Sequence, residues 1–304
     1  MISFSTSWNS KRHATGDAML HEIKTKLGFD LIELDHGVCG SLMPGIQKIF
    51  DTGEIRFSSL HDFCLLTGEA SVASPNSYNF SAASAEERER AVTHAFQAID
   101  LAAQLNAPFV VLHLGQVNIP PITDQLVAMA KAGRYLSRKY VRMKINAVQE
   151  REKIGPECLE RVKNCLRRII EYAGPKKVRI GLGARRDYEQ IPTERELAEL
   201  LEEMNSPYLG YWHDFGHSQV KENLGFIDHA EWLRAVGPRA FGCHVQDCIW
   251  PAREGQLPFT GGVDFEKLVP LLPTNCLFVW KMNSNKTADA IRQSVQMWKE
   301  RFGE

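Results

Sequence analysis

Short β-rich runs recur eight times along this chain, each followed by a polar or glycine-containing loop and then by apolar residues at helical spacing. The runs are Ile2 to Ser7, Leu31 to Leu34, Ile55 to Leu60, Phe109 to His113, Val178 to Gly183, Tyr208 to His213, Ala240 to His244 and Leu277 to Lys281. Strands that alternate with helices pair in parallel, and eight of them close most simply on themselves. The helical stretches agree with this. Ser84-x-x-Glu87 reads as a capping box opening an amphipathic run to about Leu105, and Pro156 to Tyr172 and Thr193 to Met204 carry apolar residues at helical intervals. The expectation is one α/β domain over residues 1–304, a (β/α)8 TIM barrel. A helical basic insertion at about 120–155, with Lys131, Arg134, Arg138, Lys139, Arg142 and Lys144, interrupts the alternation. Glu150, Glu152 and Glu157 dilute its field, which favours a solvated helix face or a homo-oligomer contact over a phosphate-binding patch.

Charge and cysteine content narrow the function classes. A formal net charge of −1 supplies no global field for holding nucleic acid or a membrane surface. No apolar run approaches the length of a membrane span, and Met1 to Ser7 reads as a strand rather than a leader. The seven cysteines include no C-x-x-C pair, and an odd number scattered in this way argues for free thiols in a reducing compartment. Cytoplasm is the expected location.

In a barrel of this kind the reactive groups sit at the C-terminal ends of the strands. His61 closes the third run, His113 the fourth, Asp214 the sixth and His244 the seventh, so four polar groups are expected to converge. The densest stretch is Tyr211-Trp212-His213-Asp214-Phe215-Gly216-His217. Strand alternation puts Asp214 on one face with Trp212 and Gly210, and turns His213 toward the helices. His217 follows Asp214 by three residues, close enough for a carboxylate–imidazole pair. His13, His21, His36, His94 and His229 fall in loops or helices and read as surface residues.

These segments together resemble the xylose-isomerase-like TIM barrels, the superfamily of sugar isomerases, epimerases and endonuclease IV-type AP endonucleases. The resemblance rests on Ser58-Ser59-Leu60-His61, Val110 to Gly115, Ile180-Gly181-Leu182, Gly210 to His217, Gly242-Cys243-His244 and Gly261 to Phe265. It implies a single divalent ion held by two glutamates, an aspartate and a histidine, with the glutamates shuttling protons between sugar carbons. Asp214 and His244 match the aspartate and the metal histidine, and His217 matches a histidine that touches substrate. Both glutamates are missing, replaced by Gly183 and Lys281. An ammonium about 4 Å from a divalent ion would cost roughly 8 kcal/mol at an effective dielectric near 20. No cofactor is therefore expected, and Mn²⁺, Mg²⁺ or Zn²⁺ are disfavoured at this vestigial pair. Lys281 is expected to take the cation's place and pair with Asp214.

The function implied is that of a sugar isomerase- or epimerase-like protein, with a small sugar, sugar phosphate or polyol bound at the C-terminal face. Asp214, His217 and Lys281 are the candidate catalytic residues, the last also as a Schiff-base former. Trp8, Glu33, His61, His113, Arg185, His217, Trp250 and Arg253 are candidate substrate contacts, and Asp187, Glu189 or Asp247 could replace the missing carboxylates. A barrel that binds sugar without turnover is the alternative. An AP endonuclease-like repair function rests only on His61, His113 and the basic insertion, and needs the same missing glutamates.

Overall fold

A computed structural model describes residues 1–61 and 79–303. Eight parallel strands close into a barrel: β1 (Ile2–Ser5), β2 (Leu31–Leu34), β3 (Arg56–His61), β4 (Phe109–Leu112), β5 (Arg179–Gly183), β6 (Leu209–Asp214), β7 (Ala240–Val245) and β10 (Leu277–Trp280). Each pairs with its neighbours in sequence order, and β10 returns to β1. Between β7 and β10 an antiparallel hairpin, β8 (Asp247–Ile249) and β9 (Arg253–Gln256), folds back beside the helix α7 (Phe215–Asn223). The first strand stops at Ser5, two residues earlier than expected, because the Ser5 hydroxyl caps a 3-10 turn over Thr6–Trp8.

Trp212 fills the middle of the barrel. Its indole is fully buried, and a Cβ added to Gly181 or Gly242 would stand 2.9 and 2.7 Å from its ring. Two neighbouring strands thus give up their side chains to admit one large one. Burying roughly 150–250 Å² of indole at about 25 cal/mol/Å² is worth about 4–6 kcal/mol, which helps offset the cost of two glycines in strands.

Outside the strands, the helix Glu194–Met204 (α6) opens on a complete capping box, with Thr193 and Glu196 satisfying each other's backbone amides. At Ser84 only the hydroxyl-to-Glu87 half of the expected box forms, at the start of the helix Ala85–Gln104 (α3). The basic segment comprises the helix Thr123–Lys131 (α4) and the first half of one 36-residue helix, Arg138–Ala173 (α5), that continues through Pro156. The boundary expected at Pro156 is absent because tertiary contacts hold the preceding turns. Tyr140 and Lys144 donate to the carbonyl of Leu224, and buried Arg151 donates to Tyr188, Gln190 and Glu196. Apolar residues of α4 and α5 join Val220, Leu224 and Cys248 in a separate core over the hairpin. Among the described residues, no helix is long and apolar enough to cross a membrane.

Candidate active site

The strand ends bring the expected groups together. Glu33 on β2 accepts from Ser59 at 2.8 Å and meets His244 Nε2 at 3.1 Å through both oxygens. His61 Nε2 lies 3.3 Å from His113 Nε2, while its Nδ1 lies 2.8 Å from Asp35. The His244 Nδ1 stands 3.5 Å from Asp214. His113 fills the room left by Gly183, where a Cβ would come within 2.8 Å of the imidazole Cδ2.

Asp214 ends β6 and begins α7, and its Oδ1 accepts the His217 amide at 2.9 Å as an N-cap. The Gln246 side-chain amide reaches both Asp214 oxygens, at 2.8 and 2.9 Å. The ion pair expected between Lys281 and Asp214 does not form within 4 Å, because that carboxylate is already bound by Gln246 and the His217 amide. Lys281 instead acts on the whole cluster. Its positive charge opposes protonation of His61, His113, His217 and His244 and favours ionisation of Asp214 and Glu254.

Glu254, on β9, supplies a carboxyl that the sequence reading missed. Its Oε1 lies 3.4 Å from His217 Nε2 and its Oε2 is 2.8 Å from Arg186 Nε. Burial, reinforced by the negative charge of Asp214, pushes this carboxyl up to about 8. His217 is the converse case. Burial lowers it to about 4 despite the charge of Asp214, and its Nδ1 donates to the Ala184 carbonyl at 2.9 Å, which leaves the Nε2 lone pair facing Glu254. Burial opposes ionisation of Asp214, but His217, His244 and Lys281 hold it far below the usual carboxylate range. Burial likewise opposes charge on His244, yet Glu33 raises it.

Other expectations need correction. Asp247 cannot replace a missing glutamate, since its oxygens accept four backbone amides, those of Cys248, Thr260, Gly261 and Val263. Asp187 is paired with Arg186, and Glu189 accepts from Thr123. Trp8 is buried against Phe4 with its indole N–H on the Lys286 carbonyl, so it presents no free face to a ligand. Trp250 stacks edge-on to Tyr135 on the surface, and Arg253 is exposed, pointing away from Glu254 by strand alternation. Arg185 is buried near the cluster, its charge acting on His113 and His217. His229 is not a surface residue: it is buried and contacts His213 at 3.1 Å, with His213 facing the helix layer as expected. His36 also joins the site region, 3.1 Å from Asp35 and along the wall of a cavity of about 460 Å³. That cavity is bounded by Lys11, Asp35, His36, Gln246, Lys281 and Asn283, all placed after strand C-termini.

Among the described residues, three groups of side chains have donor atoms near enough to surround a metal ion: Glu33, His61 and His244; Asp35, His36 and His61; and Asp214, His217 and Glu254. Asp35 and His36 follow directly on β2, so the strand-end rule carried two residues further finds them. Glu254 gives no such signal, because a hairpin brings it to the site. Gly255 has φ +68°, and its amide reaches Gln246 Oε1 at 2.8 Å, a conformation in which a side chain would collide with Asn283.

Comparison with known proteins agrees with the barrel. A search of curated proteins by sequence returns no match. By structure, the chain is similar to a D-tagatose 3-epimerase-like protein (19% identity, TM-score 0.67, 99% of this chain and 96% of that one). It is also similar to D-allulose 3-epimerase from Methylomonas sp. in complex with D-allulose (14% identity, TM-score 0.64, 99% and 96%). A third similar structure is the IOLI protein with a bound zinc atom (13% identity, TM-score 0.66, 100% and 99%). At these identities the likeness establishes the fold. The family profile described as xylose isomerase-like TIM barrel matches residues 24–301, and the chain belongs to that family.

Proposed function

We propose that this protein acts on a small sugar, sugar phosphate or polyol in the cavity at the strand C-termini, as an isomerase or epimerase that works without the family's metal. The observation that carries the reading is the approach of His217 Nε2 and Glu254 Oε1 to 3.4 Å, linked to that cavity through Gln246, which lines it and binds Asp214. One group has a free lone pair and the other retains a proton, the pairing that proton transfer next to a carbonyl requires. His217 takes the proton from the carbon alpha to the carbonyl. Glu254 gives its proton to the carbonyl oxygen as negative charge develops there beside the Lys281 ammonium. The Glu254 carboxylate then takes the proton of the neighbouring hydroxyl while the His217 imidazolium returns its proton to the former carbonyl carbon, so both groups end as they began.

The donors fit a divalent ion poorly. Gly183 offers no ligand and His113 occupies its space. The Gln246 amide takes both Asp214 oxygens, Glu254 faces Arg186, and the raised proton affinity of His244 turns its Nε2 into a donor toward Glu33. Glu33 favours the protonated form of His244, and Lys281 adds its charge to the same cluster. Similarity in fold to a D-tagatose 3-epimerase-like protein and to a D-allulose 3-epimerase supports the choice of substrate class.

The test is proton exchange. Chelator-treated protein is incubated with ketoses, aldoses and their phosphates in D₂O, and deuterium incorporation is followed by NMR. Incorporation into one sugar without added metal is expected. Saturable binding with no exchange would identify a sugar-binding barrel, and exchange restored only by Mn²⁺, Mg²⁺ or Zn²⁺ would overturn the metal-free mechanism.

A further inference from the structure

The opposite end of the barrel contains a second cavity, of about 780 Å³, that the chemistry above leaves unused. Leu31, Phe109, Phe241 and Leu277, at or near the starts of β2, β4, β7 and β10, line it and belong to one apolar cluster with Trp212. Barrels ordinarily fill this layer with side chains. Here the Phe109 and Phe241 rings lean on each other, with centroids 5.7 Å apart, and Phe109 also rests on Trp212. The position of Gly210 gives its space to the Phe241 ring, where a Cβ would stand 2.7 Å away. An apolar cup is left open to solvent.

Arg179, the first residue of β5, lines the same cup. Its guanidinium carbon lies 4.8 Å from the centroid of Phe109 and 5.3 Å from that of Phe241. It is exposed, and among the described residues no carboxylate comes within 4 Å of it. Arg56, also in the lining, pairs at the surface with Asp30 at 3.6 Å. A guanidinium resting on two aromatic faces is fixed in place while its N–H edges stay available, which is the arrangement that receives a two-oxygen anion.

We infer that this cup binds a small amphipathic monocarboxylate. The carboxylate takes Arg179 as a bidentate partner, and the apolar body lies against Leu31, Phe109, Phe241 and Leu277. The volume is within the range of small-molecule sites. Apolar walls disfavour a phosphate dianion, whose hydration would be lost without enough donors to replace it, and the guanidinium disfavours an amine. Trp212 and the apolar layer around it separate the cup from the sugar cavity, so failure of either assignment leaves the other standing.

Calorimetric titration of the full chain with 4-phenylbutyrate tests the inference, with 4-phenylbutanol and 4-phenylbutylamine as matched neutral and cationic probes. Two variants accompany it: Arg179→Gln, at an exposed position, and Asn275→Trp, which places an indole at the rim. Saturable one-to-one binding of the acid to the wild type is expected, weakened about tenfold or more in both variants and for both other probes. Absence of saturable binding at millimolar acid would overturn it. So would equal binding of acid and alcohol by the wild type, a comparison that needs no variant to fold, or unchanged binding in Arg179→Gln.

Discussion

Glu254 and His217 differ in what their surroundings do to the same proton. Burial holds the carboxyl up to about 8 and the imidazole down to about 4, so the acid is loaded and the base empty between those values. A bell-shaped pH profile for turnover is expected, with limbs near those two values. Glu254→Gln should lower the rate about 10²–10⁴-fold and remove the alkaline limb, while circular dichroism stays unchanged. Loss of the acid limb instead would assign the roles the other way round. Asp214, His61, His113 and His244 were legible in the sequence because strand alternation and the strand-end rule together fix where such side chains point. Glu254 was not legible. Its place depends on a turn, on the Gly255 amide and on four loop amides gathered by Asp247, none of which a linear pattern encodes. The expected Lys281–Asp214 pair failed for a related reason: a competing amide, Gln246, lies 32 residues away in sequence from the carboxylate it binds.

Within the barrel wall, β6 decides what its neighbours can be. Trp212 needs bare backbone on β5 and β7, so Gly181→Ala and Gly242→Ala should each destabilise by about 1–3 kcal/mol in urea unfolding. Adding Trp212→Phe to either variant should recover part of the loss, since the smaller ring relieves the clash. If the effects of the two changes simply add, the steric account of these glycines is wrong. All eight strands were legible, with ends within about two residues, because β-rich runs between helical patterns leave few alternative assignments. The long helix α5 was cut short at Pro156, which resembles a first-turn proline. Contacts from Arg151, Tyr140 and Lys144 to distant carbonyls outweigh that local signal.

At the scale of the whole molecule, four buried histidines and the partly buried His217 are held neutral among the described residues. Burial lowers His61 and His229 to about 3 and His217 to about 4, and moves His113 and His213 well below their ordinary value. An unfolded chain binds these protons near pH 6.5 and the folded chain does not, so stability falls as pH drops below 6.5. Each group contributes up to about 1.4 kcal/mol per pH unit until its folded value is reached. His244, raised by Glu33, has the opposite sign: its contribution is complete below 6.5 and is lost as pH rises through its folded value. Steep acid unfolding is therefore expected, with uptake of several protons measurable by potentiometry; uptake of one or none would contradict the buried-neutral assignment. Trp212 bears on the molecule at this scale as well. With its ring seated over the glycines of both adjacent strands, the barrel is two chambers with a shared wall rather than a tube. Water and small solutes entering from one end have no straight route to the other, so each chamber equilibrates only with the solvent at its own mouth.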